Sequence, residues 1–116
     1  MTRREKIRQI ISGLRGYSPQ KIVVFGSQVA GKPLRHSDVD IIVVKETEAR
    51  FVDRLKEVTE FLDVPFAVDV LVYTPQELQE MVARGNPFIT SALESGIVVY
   101  ERPRGRRKAV ATAGRG

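Results

Sequence analysis

Apolar positions along the chain follow two periods, and each stretch has a recognisable start and stop. Thr2 followed by Glu5 has the form of a capping box, and Ile7, Ile10, Ile11 and Leu14 then fall at helical spacing, so a helix is expected over 3–12. Gly13, Gly16 and Ser18-Pro19 are read as its breakers. KIVVF at 21–25 and VDIIVV at 39–44 are β-branched runs of strand length. Between 48 and 62, Phe51, Val52, Leu55, Val58, Phe61 and Leu62 form a single apolar stripe, the mark of a second helix. FAVDVLVY at 66–73 reads as the third strand. Thr74-Pro75-Gln76-Glu77 joins an N-cap, a proline at the first helical position and a capping-box glutamate. That helix ends at Gly85, Asn86-Pro87 opens another that ends at Gly96, and IVVY at 97–100 is the fourth strand. The link from Phe25 to Val39 leaves room for a loop or one helical turn. The expected class is therefore a small α/β or α+β fold with helices packed mainly on one face of the sheet.

Composition narrows the chemistry. With 116 residues, 42% hydrophobic and 28% charged, the chain has the content of one globular domain. There are no cysteines, and His36 is the sole histidine, which excludes disulfides and leaves oxygen ligands for any metal. His36 itself reads as a solvated loop residue. The apolar runs are strand-sized and the N-terminus is charged without an apolar stretch behind it, so neither membrane nor secretion is indicated and a cytoplasmic location is expected.

The net charge of +5 resides in the tail. Residues 102–116 hold six of the 19 basic residues and none of the 14 acidic ones, which leaves the rest of the chain at −1. The expected organisation is a domain over 1–101 followed by a basic, disordered tail over 102–116, which offers weak electrostatic contact to RNA. Arg3, Arg4, Lys6 and Arg8 read as a solvated helix start, with a grip on RNA or a partner as the alternative.

Three carboxylates stand out against this background. Asp38 and Asp40 lie two apart at the start of a strand, which would send both side chains to one face about 6.6 Å apart. At an effective dielectric near 20 such a pair repels by about 2.5 kcal/mol unless water or a cation intervenes. Asp69 interrupts the apolar strand between Val68 and Val70. Three carboxylates around a divalent cation are the arrangement that metal-assisted phosphoryl transfer uses. Gly26-Ser27, directly after the first strand, offers backbone N–H groups and a hydroxyl to phosphate oxygens.

Gly26-Ser27, ten intervening residues, Asp38-Val39-Asp40 and then Asp69 in an apolar strand together resemble the signature of the polymerase beta-like nucleotidyltransferase superfamily. The segments GSQVAGKPLRHSDVDIIVV and NPFITSALESGIVVYE look like its minimal nucleotidyltransferase branch, and the resemblance covers roughly residues 20–101. It implies a mixed sheet and transfer of a nucleoside monophosphate, AMP from ATP or the equivalent from another NTP, with release of pyrophosphate. By the same resemblance Asp38 and Asp40 would hold two Mg²⁺ ions, Asp69 would ligate the one that activates the acceptor hydroxyl, and Gly26 and Ser27 would bind the β and γ phosphates. Family members often carry arginine shortly after Gly-Ser. Here Gln28, Val29 and Ala30 are uncharged, so that contact is either absent or supplied by Lys32 or Arg35.

Standalone members of the minimal branch resemble antitoxins whose partner is an all-helical HEPN-type ribonuclease that becomes nucleotidylated on tyrosine, which implies such a toxin as partner here. The rival readings are a catalytically silent nucleotide-binding antitoxin that acts by contact, and a small-molecule nucleotidyltransferase of the aminoglycoside type, disfavoured because no additional acceptor domain is expected after residue 101.

Overall fold

The structure is a computed structural model that describes residues 1–26 and 37–103. Residues 27–36, among them Ser27, Lys32, Arg35 and His36, and nearly all of the basic tail lie outside the described residues.

Helix α1 spans Arg3–Leu14, with the Thr2–Glu5 capping box formed in both directions. It runs through Gly13, which the sequence marks as a breaker. That glycine answers to packing: a Cβ there would stand 2.5 Å from the Phe61 carbonyl oxygen, so α1 can approach the chain following the second helix only where no side chain intervenes. After a 3₁₀ turn at Arg15–Tyr17 and a left-handed Ser18 (φ 60°), strand β1 covers Lys21–Phe25. Strand β2 covers Val39–Val44, helix α2 Phe51–Thr59 and strand β3 Val68–Tyr73. Helix α3 spans Pro75–Ala83 with its Thr74–Glu77 capping box formed, α4 spans Pro87–Ser95 capped by Asn86, and β4 covers Ile97–Glu101.

The four strands form one sheet in the order β3-β2-β1-β4. The β1–β2 and β1–β4 pairs are antiparallel and β2–β3 is parallel, so the sheet is mixed, as the resemblance implies. Its helices divide between the two faces, which departs from the expectation of helices mainly on one. Ile22, Val24, Val39, Ile41 and Val43 pack with Ile10 and Leu14 of α1 and Val58 of α2. On the opposite face Val23, Phe25, Ile42 and Val44 pack with Ile89 and Ala92 of α4, and Leu78 and Met81 of α3 close over them. The reason is visible in the strands themselves. All six residues of β2 are buried, so both faces of the central strands need cover.

An ion pair between a buried arginine and a half-exposed glutamate ties the two layers together at one end of the sheet. The Arg54 guanidinium of α2, 6% exposed, donates through Nη1 to Glu77 Oε1 at 2.7 Å and through Nη2 to Oε2 at 3.0 Å. It also donates to the carbonyls of Ala49 at 2.8 Å and Val72 at 3.2 Å. Sequence patterning gives no hint of it, because Arg54 lies between Asp53 and Leu55 on a helix whose polar face looks solvated.

Among the described residues no helix is long and apolar enough to cross a membrane.

Candidate active site

The opposite end of the sheet gathers the residues singled out in the sequence. Phe25 pairs with Asp40 across β1–β2, and Asp40 pairs with Asp69 across the parallel β2–β3 ladder. Gly26 therefore leaves the sheet beside Asp40, with Asp69 one strand further on. In-register partners on neighbouring strands lie about 4.8 Å apart and share a face, so Asp40 and Asp69 stand side by side on the face that α3 and α4 cover further along. Asp40 is 3% exposed, and Asp69 is half-buried. Ser37 Oγ donates a hydrogen bond to Asp40 Oδ1 that orients the carboxylate. Sequence reading missed Ser37; its signal is the spacing of three residues ahead of a strand aspartate.

Asp38 is placed differently from the expectation. Strand β2 begins at Val39, so the period-two argument that would aim Asp38 alongside Asp40 does not reach it. Its backbone N–H donates to the Ala67 carbonyl at 2.9 Å, and its Oδ2 accepts from the Ala67 N–H at 3.1 Å. Its Oδ1 lies 3.6 Å from Lys6 Nζ. The register brings Asp40 and Asp69 together, while the Asp38 carboxylate faces α1. Consistent with this, no group of three acidic, histidine or cysteine side chains converges as a metal site among the described residues.

Two residues of α1, read from sequence as part of a solvated helix start, meet the site. Besides the Lys6 ion pair, Arg3 Nη1 donates to the Asp38 carbonyl at 3.4 Å. The signal was present for Lys6, which precedes Ile10 by one helical repeat and so falls on the buried side of α1.

Gly26 is exposed, and a Cβ there would meet nothing within 4 Å, so its neighbourhood among the described residues is open. The donor set is hard and anionic, which suits a hard divalent cation. Two carboxylates about 5 Å apart repel by about 3 kcal/mol at an effective dielectric near 20, and a cation between them adds attractions to both that outweigh the repulsion.

The family described as polymerase beta, nucleotidyltransferase, matches residues 5–105. The chain belongs to the polymerase beta nucleotidyltransferase family. Its mixed four-stranded sheet with helices is that family's fold. A protein of Haemophilus influenzae named "Probable protein adenylyltransferase MntA" is 36% identical over 64 residues, a match that takes in 52% of this chain and 56% of the relative. The chain thus spans little more than half the length of that relative. A solved structure from Sulfolobus solfataricus, provisionally described as a nucleotidyltransferase, is 22% identical, with a TM-score of 0.45 over 84% of this chain and 87% of that one.

Membership of this family implies an NTP substrate and usually a divalent metal. NTP is expected to bind weakly in EDTA and at least tenfold more tightly with Mg²⁺, because a bare triphosphate would face the aspartates at the β1–β2–β3 end. Calorimetric titration with and without the metal checks this, and equal affinities would remove the metal from the site.

Proposed function

We propose that the nucleotidyltransferase is a Mg²⁺-dependent protein adenylyltransferase that moves AMP from ATP onto a tyrosine hydroxyl of a HEPN-type helical toxin ribonuclease, and so acts as its antitoxin. The observation that carries the reading is the in-register pair Asp40–Asp69 beside Gly26, within a chain of this family. Similarity to a probable protein adenylyltransferase supports a protein acceptor and adenylyl as the group transferred.

Asp40 and Asp69 would hold the metal, with Asp38 as the third carboxylate. Gly26, with Ser27 beyond the described residues, would meet the β and γ phosphates. Bound there, Mg²⁺ would screen the triphosphate and lower the pKa of the acceptor hydroxyl. Ser37 fixes the Asp40 rotamer before substrate arrives, so that reorganisation is not needed at the reacting centre. Asp69 aligns the acceptor oxygen for in-line attack on the α-phosphorus. The new bond is tyrosine oxygen to α-phosphorus, the bond broken is that from α-phosphorus to the bridging oxygen of the β-phosphate, pyrophosphate leaves, and the hydroxyl proton passes to solvent water.

Incubation with ATP, Mg²⁺ and the product of the neighbouring gene, followed by mass spectrometry, tests the proposal. The expected product carries one AMP on a partner tyrosine, and the modification is lost with Asp40→Ala. Neutralisation of the partner by wild type and by the Asp38→Ala, Asp40→Ala, Asp69→Ala triple variant alike, with no mass added, would overturn it in favour of a catalytically silent antitoxin.

A further inference from the structure

We propose that Lys6 is a resident cation of the carboxylate site: it holds the Asp38 carboxylate in the metal-free protein and competes with the divalent ion for it. The inference rests on the carboxylate-site reading above and adds a positioning residue from α1.

Four observations converge on Lys6. Its Nζ lies 3.6 Å from Asp38 Oδ1 and 5.7 Å from the centroid of the Phe66 ring, so it is seated between a carboxylate and an aromatic face. It is partly buried, whereas Arg3, Arg4, Glu5 and Arg8 around it are exposed. The backbone it approaches is pinned: the N–H groups of Asp38 and Val39 donate to the Ala67 carbonyl at 2.9 and 3.3 Å, and Arg3 holds the Asp38 carbonyl. The Asp38 carboxylate can therefore change partner by side-chain rotation without moving the strand, giving up both Lys6 at Oδ1 and the Ala67 N–H that Oδ2 accepts at 3.1 Å. Finally, Asp38 is the one aspartate of the three whose carboxylate faces α1 rather than the in-register pair, and among the described residues Lys6 is the cation paired with it.

The consequence is an exchange of cations. A divalent ion that recruits Asp38 must break the Lys6 contact, and one that leaves Asp38 in place must bind near a positive charge. Either way Lys6 weakens divalent binding. The Lys6 and Asp38 side chains are 24% and 45% exposed, so the pair is partly screened and its effect is a few-fold rather than orders of magnitude.

Mn²⁺ binding to the nucleotide-free full chain, followed by paramagnetic resonance of the free ion, reads this without any turnover. Lys6→Met is expected to tighten Mn²⁺ binding about three- to tenfold, and Lys6→Arg, which keeps the charge, to stay within about twofold of wild type. A lysine with a purely structural role would leave the affinity unchanged or weaken it when replaced, and either result overturns the inference, as does equal tightening by Lys6→Arg. Asp40→Asn separates the two levels. If it loses Mn²⁺ while Lys6→Met changes nothing, the inference falls and the carboxylate site stands. If Asp40→Asn binds as wild type does, or wild type binds no Mn²⁺, both fall.

Discussion

Asp69→Asn is expected to lower nucleotidyl transfer by at least about 10³-fold, some 4 kcal/mol of transition-state stabilisation, while NTP affinity stays within a few fold. The substitution keeps the volume and a hydrogen-bonding oxygen of a half-buried strand residue, so β3 and its parallel pairing with β2 should persist. What it removes is negative charge beside Asp40. In the proposed role that charge acts on the acceptor side, and its interaction is realised mainly as the new bond forms, so the loss appears in the rate rather than in nucleotide binding. Asp40→Asn differs, because Asp40 stands between Gly26 and Asp69 in the register and should serve nucleotide and acceptor alike; both binding and transfer fall. Transfer followed with an α-phosphate label, beside calorimetry for the nucleotide, distinguishes the two variants. Full transfer activity in Asp69→Asn would sink the assignment.

The second large effect concerns stability, at the other end of the sheet. Glu77→Ala should destabilise the protein by about 2–3 kcal/mol at neutral pH. It leaves the Arg54 guanidinium buried without its carboxylate, a loss of about 3–5 kcal/mol in a fully buried pair, reduced here because the Glu77 side chain is 40% exposed. The substitution also removes the Glu77 acceptor for the Thr74 N–H at 2.9 Å, and with it half of the α3 capping box. A fall in Tm of about 8–12 °C is the corresponding readout.

The pH dependence has a definite sign. Hydrogen bonding from Arg54 holds the Glu77 carboxyl below the usual glutamate range, against the opposing effect of burial. A depressed pKa in the folded state contributes stability that is complete above the unfolded value of about 4.3 and is lost as pH falls through the lower folded value. Wild type should therefore lose Tm on acidification below about pH 4.3 more steeply than Glu77→Gln does. Parallel acid limbs, or a Tm for Glu77→Ala within 2 °C of wild type, would show that the pair does not hold α2 to α3.

What the amino-acid order determined alone are the features that depend on neighbours in sequence. Both capping boxes, Thr2–Glu5 and Thr74–Glu77, form as their four-residue patterns require, and the Asn86-Pro87 start of α4 does likewise. Strands β1 and β2 begin and end where their β-branched runs do, because such runs leave the chain few alternatives over five or six residues. Gly26 and the aspartates were legible as candidates because charge in an apolar strand, and glycine at its end, are locally anomalous.

The tertiary structure decided what depends on distance through space. Register across β1–β2–β3 set Asp40 beside Asp69, and the start of β2 at Val39 freed Asp38 from strand alternation and turned its carboxylate to Lys6. The division of helices between two faces followed from the need to cover a central strand buried on both sides, a demand that VDIIVV states but cannot assign to particular helices. Gly13 shows the limit most plainly. Glycine in a helical stretch reads locally as a breaker, yet α1 continues through it, because the nearby Phe61 carbonyl, 48 residues further along the chain, leaves no room for a Cβ.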